Sequence, residues 1–203
     1  MKETNPAPGA PAPAAAGEEA VSPRDVLLAP RFLVVTLATF AFWMSVFAHT
    51  PLIPLYLEGL GYRESVIGVV FGSGAVAALA ARLALGWMID RYGERLFLLA
   101  GGLLWVVTAP VIPSTENLPA ITAVWLVKGA GLAIFTTAAG GWAGKYGPDS
   151  LRGQTMSYFG AANFAAAVLS PALAVAVAES SSYLVAFLAT GATAALACCA
   201  ALV

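Results

Sequence analysis

Charge is what this sequence has least of. Of its 203 residues only 10% are Asp, Glu, Lys or Arg, against roughly a quarter in a soluble globular domain, which excludes an ordinary water-soluble fold. Ten basic and eleven acidic residues nearly cancel to a net charge of −1. That balance leaves no basic surface for nucleic acid and no acidic bulk to solvate a disordered chain. Histidine occurs once, as His49, and cysteine twice, as the neighbours Cys198 and Cys199. Adjacent cysteines are badly placed to bridge each other. One histidine and two vicinal thiols make no ligand set of the C-x-x-C or H-E-x-x-H kind, so neither a metal nor a cofactor is expected. No Walker loop is present, which excludes direct drive by ATP for this chain.

What the sequence has in excess is apolar length. Hydrophobic residues make up 60%, and stretches near or above 18 residues recur after a polar start, each long enough to cross ~30 Å of hydrocarbon at ~1.5 Å per residue. Six spans are placed at 32–56, 65–89, 96–113, 118–144, 154–178 and 183–203. Residues 1–30 read as a disordered cytoplasmic tail, because prolines 6, 8, 11, 13 and 23 stand among Ala, Gly and Glu and little apolar surface is available to offset ordering. Residues 31–203 form the six-helix transmembrane domain, an all-α polytopic membrane protein. The tail and the loops after spans two and four hold Lys2, Arg24, Arg31, Arg91, Arg95, Lys145 and Arg152, whereas the opposite loops hold only Arg63. By the positive-inside rule the amino terminus lies in the cytoplasm. Tyr56 and Tyr62 at the outer ends, with Trp87, Tyr92 and Tyr146 at the inner surface, fit the same frame. Spans three and six read as plain lipid-facing helices.

The most informative loop is Gly86-Trp87-Met88-Ile89-Asp90-Arg91-Tyr92-Gly93-Glu94-Arg95, between spans two and three. Gly93 suits a helix end that needs positive φ, and Gly86 would let another backbone approach. Asp90 is placed either to pair with Arg91 or to face the positive end of a neighbouring helix. Arg82 stands four residues before Gly86 and eight before Asp90, so the three share a helical face. Arg82 either reaches toward a cytoplasmic gate or snorkels to the headgroups.

Gly-x-x-x-Asp-Arg-x-Gly-x-Arg between the second and third of six spans resembles the cytoplasmic signature, motif A, of the major facilitator superfamily of transporters. Pro51-Leu52-Ile53-Pro54-Leu55-Tyr56-Leu57 at the end of span one, and Arg82-Leu83-Ala84-Leu85-Gly86 in span two, are similar to the drug- and sugar-efflux members. The resemblance implies a secondary active transporter that moves a small solute by alternating access, through proton-coupled efflux across the cell (inner) membrane. Such transporters have twelve spans in two parallel halves. This chain looks like the amino-terminal half, itself two inverted three-helix repeats. A second copy in a homodimer, or a separate carboxy-terminal half, would complete it. In the first case Asp90 would face the start of span five near Arg152, Gly153 and Gln154.

Within the spans, Lys128 stands near mid-membrane, where an uncompensated charge costs ~3 kcal/mol or more, so a site role is the default. Lys128-Gly129-Ala130-Gly131 occupies the place of the family's motif B, whose arginine is linked to proton coupling. Gly129, Ala133, Thr137 and Gly141 repeat every four residues as a packing face. His49 precedes Pro51 and is either a proton carrier or a structural hydrogen-bonder. Trp43 in span one and Asn163, an amide in mid-membrane, are further candidates for the transport path. Ser170-Pro171 departs from the glycine-flanked antiporter motif C.

Two other readings compete. One is a truncated or accessory six-span subunit that does not itself transport. The other is an intramembrane serine protease built on Gly72-Ser73-Gly74, but Phe71 stands where its first glycine should be and the single histidine lies in an earlier span, so no enzyme is expected.

Overall fold

The computed structural model describes residues 23–145 and 149–202; residues 1–22, most of the expected tail, and Tyr146 lie outside them. The described part of the expected tail is ordered at its end. Pro23–Leu27 forms a single helical turn, α1, with Val26 buried.

The six expected spans are helices α2 (Pro30–Gly59), α3 (Glu64–Tyr92), α4 (Glu94–Thr108, extended by a 3-10 turn at Ile112–Ser114), α5 (Leu118–Ala143), α6 (Arg152–Ser180) and α7 (Tyr183–Ala201). All six are long and apolar enough to cross a membrane, and no strand occurs among the described residues. Their ends follow from local chemistry. Pro30 opens α2, where its missing N–H is not needed. Asn117 caps α5 by accepting from Ala120 N at 3.2 Å, and Ser182 caps α7 by accepting from Val185 N at 3.3 Å. Gly61 (φ 82°) and Gly93 (φ 83°) make the left-handed turns on either side of α3. At Gly93 one residue suffices to reverse the chain, and its N–H still reaches Ile89 O at 2.8 Å.

The helices form two three-helix units, α2–α4 and α5–α7. The leading helix of each packs against the other unit: α2 lies against α6 and α7, α5 against α3 and α4, and α4 meets α7. Exchanging the units maps this pattern onto itself. With three spans per unit the second runs inverted in the membrane, the arrangement expected of inverted repeats.

Glycine makes the close approaches. A Cβ on Gly129 would overlap the carbonyl oxygen of Gly74, so α5 and α3 touch backbone to backbone. On the other side of α5, a Cβ on Gly101 would lie 2.6 Å from Phe135 N and 2.8 Å from Gly131 O, which seats α4. The expected four-residue stripe is thus only partly a seam. Gly129 is in it, Gly141 meets only the Glu94 side chain, and Gly131, off the stripe, is the second contact point.

One expectation is reversed. Spans three and six are not plain lipid-facing helices: 44% of the apolar stretch of α4 and of α7 is buried, against 22% in α3 and α6. α3 touches the body along one narrow row, Ile67, Val70, Gly74, Ala78, Leu85 and Ile89, and α6 along Thr155, Phe159, Asn163, Ala166, Ser170 and Ala174. The remaining surface of both helices is open.

Candidate functional site

Near the centre of the bundle α2, α4 and α5 meet through aromatic rings. Phe42 stacks on Phe135 with centroids 3.8 Å apart and meets Trp105 edge-on at 5.3 Å. Trp105, in mid-span three, also meets the His49 ring at 5.0 Å.

Lys128 reaches into this cluster. It is 1% exposed and stands ten residues from the start of α5, about 15 Å along the axis. Its Nζ lies 4.2 Å from the centroid of the Trp105 ring and 3.4 Å from the Trp105 carbonyl oxygen. The Trp105 indole N–H in turn donates to Lys128 O at 3.0 Å, so α4 and α5 hold each other at this point. Snorkelling to a headgroup, which would leave the ammonium exposed, is not what the side chain does. A cation over an indole face recovers part of its lost hydration.

Two of the open cavities beside α2 hold candidate residues. The first, about 270 Å³, is bounded by Lys128, Phe47, Thr50, Phe71, Trp105 and Trp125 among others. The second, about 220 Å³, brings together Trp43 and Asn163 with Thr39, Phe47, Phe159 and Phe164. Phe47 lines both. Asn163 is buried, and its Oδ1 has no hydrogen-bond partner among the described residues. Of the four path candidates, Lys128 therefore lines one cavity, and Trp43 and Asn163 line the other. His49 lines neither of these two. It is fully buried among Trp105, Trp125 and Phe187, with Nδ1 2.7 Å from Ser45 O on its own helix and Nε2 unpartnered.

The Gly86–Arg95 segment forms one end of α3 and the start of α4 as expected, but its internal contacts differ. Asp90 is exposed and forms no ion pair with Arg91; the Arg91 guanidinium lies 5.6 Å from the centroids of both Trp87 and Tyr92 instead. Among the described residues nothing lies within 4 Å of where a Cβ on Gly86 would stand, so no backbone approaches it there. Arg82, Gly86 and Asp90 do share one open face of α3. The ion pair at this end joins Glu94 of α4 to Lys145 just beyond α5. At the opposite end, Tyr56 and Tyr62 donate to the carbonyls of Thr115 and Glu116 at 3.2 and 3.1 Å and tie the first turn to the second.

Sequence reasoning missed Trp105, Trp125 and Phe47. The available signal was position: tryptophan favours membrane interfaces, so an indole in mid-span is anomalous and marks a polar partner at depth. Trp125 has such a partner, donating to Phe71 O on α3 at 3.0 Å.

Comparison with known proteins agrees with this architecture. Over 129 residues the chain is 26% identical to an uncharacterized MFS-type transporter of Methanocaldococcus jannaschii. That alignment covers 64% of this chain and 33% of the relative, so the chain matches about a third of that protein's length. The family model described as Major Facilitator Superfamily matches residues 6–203. With six helices in two inverted units, the motif A loop between the second and third, and a match over nearly its whole length, the chain belongs to the major facilitator superfamily of membrane transporters.

Proposed function

We propose that this domain is one half of a secondary active transporter that moves a small solute by alternating access, through proton-coupled efflux across the cell membrane, with its amino terminus in the cytoplasm. The observation that carries the reading is Lys128: a buried cation in mid-span, compensated by an indole ring and one carbonyl, at the wall of an open cavity. An ionisable residue at such depth is costly and by default marks a functional site. The open sides of α3 and α6, beside the two cavities, are where a second six-helix half would close the path, either a second copy or a carboxy-terminal half. Asp90, Arg91, Gly93, Arg95, Gly86 and Arg82 would then form the cytoplasmic gate with that partner. Thr155, at the start of α6, is buried against its own chain, so a contact from a partner's Asp90 would have to fall on Arg152 to Gln154.

The test is solute-induced decay of an imposed pH gradient in everted membrane vesicles containing the protein, scanned over a panel of small organic solutes. Wild type should respond to at least one solute. Lys128→Ala should lose that response at normal expression, Lys128→Arg should keep part of it, and Ser73→Ala should be unchanged, since Ser73 only bonds Val70 O within its own helix. An unchanged response in Lys128→Ala, or loss of expression rather than activity, would make Lys128 a structural residue, and no response of wild type to any solute would favour the accessory reading. For orientation, in a background lacking Cys198 and Cys199, single cysteines at Ser65 and Ser181 should react with impermeant thiol reagents from outside, and one at Ser150 should not.

A further inference from the structure

We propose that Lys128 and the aromatic cavity before it form a subsite for a lipophilic organic monoanion, a one- or two-ring body bearing a carboxylate. The proposal rests on the transport reading above and names the substrate class for that site.

Three features of the cavity select this chemistry. The first is the charge. An ammonium has three donors; here one is directed at Trp105 O, the ring face takes up part of the charge, and no carboxylate of the described residues forms an ion pair with it. Its other two N–H groups have no acceptor among the described residues, and an anion brought into the cavity that Lys128 lines is the acceptor we assign them. At this depth a carboxylate gains far more from such a contact than it would in water. A cationic solute would instead bring like charges together where water screens them little.

The second is the wall. Phe47, Phe71, Trp105 and Trp125 present rings, and both indole N–H groups are already spent, on Lys128 O and Phe71 O. The rings therefore offer flat apolar contact and no further donors, which leaves polar recognition to Lys128 and the Thr50 hydroxyl. The third is size. A cavity of about 270 Å³ lies just below the range of roughly 300–1,000 Å³ for small-molecule sites, so the body it holds is small.

The experiment is equilibrium dialysis of the full chain in phosphatidylcholine nanodiscs against 2-naphthoate and its uncharged isostere 2-naphthamide, with binding to empty nanodiscs subtracted. Wild type should bind naphthoate at least about tenfold more tightly than naphthamide. In Lys128→Met the preference should fall below about twofold with naphthamide binding unchanged, and Lys128→Arg should retain it. Because Lys128→Met removes a buried charge, its insertion is expected to hold. Should it not insert, Gly72→Leu, which fills the cavity from α3 where no atom now stands within 4 Å of a Cβ, should lose both probes. Equal affinity for the two probes in wild type, or undiminished naphthoate binding in Lys128→Met or Gly72→Leu, would overturn the proposal. The two readings fail separately. Lys128-dependent flux without a preference for naphthoate removes only the anion subsite, and the preference without flux removes only transport.

Discussion

α4 and α7 are as apolar as α3 and α6, yet bury twice the share of their apolar stretch, 44% against 22%. The difference lies in which helix is met on how many sides. α4 is held by α5 and α7, and α7 by α2 and α4, whereas α3 leans mainly on α5 and α6 mainly on α2. Hydropathy measures transfer into hydrocarbon and is blind to whether the hydrocarbon is lipid or protein. The informative marks are small residues at a seam and large polar-tipped residues at depth. α4 carries both, Gly101 at its seam with α5 and Trp105 on Lys128.

The largest effect should separate two tryptophans. Trp105→Ala removes a 2% exposed side chain that touches Phe42, His49 and Lys128, and should cost about 3–5 kcal/mol in unfolding by detergent titration. Trp87→Ala, on the open side of α3 at 66% exposed, should change stability by less than about 0.5 kcal/mol. Equal losses would erase the distinction between the helices.

Next in size is a glycine pair. Gly101→Leu forces a side chain into the backbone of Phe135 and Gly131 and should cost about 1–3 kcal/mol by the same titration. Gly86→Leu has open space in this chain and should leave unfolding unchanged while impairing transport, if a partner half closes there. The smallest effect belongs to the ion pair at the Gly93 end. Lys145 is 64% exposed, so Lys145→Ala should change stability by no more than about 0.5 kcal/mol, less still at high salt.

Much of this was legible in the sequence. Six spans, their boundaries to within a few residues, the turn at Gly93 and the depth of Lys128 all follow from apolar length, glycine placement and the cost of a charge in hydrocarbon. The partners of those residues did not follow. Lys128 and Trp105 are 23 positions apart on separate helices, and nothing in either span's periodicity says which faces meet. Asp90 shows the same limit. Its sequence neighbour Arg91 was one of two partners its position offered, and on the helix the guanidinium lies over Trp87 and Tyr92 instead. Gly86, Asp90 and Arg91 of motif A are exposed in the described structure, and periodicity within one span does not say what meets them.

The central claim is that the open side of α3 beside Lys128 borders a watery path, whereas the exposed side of α4 faces lipid. The direct test is the reactivity of single cysteines at Gly72, in the Lys128 cavity, and at Leu103, 52% exposed on α4, toward a charged thiol reagent in membranes of a Cys198- and Cys199-free background. Only a hydrated thiol ionises and reacts. The account predicts modification at Gly72 and none at Leu103; equal reactivity at the two positions, or protection at both, would contradict it.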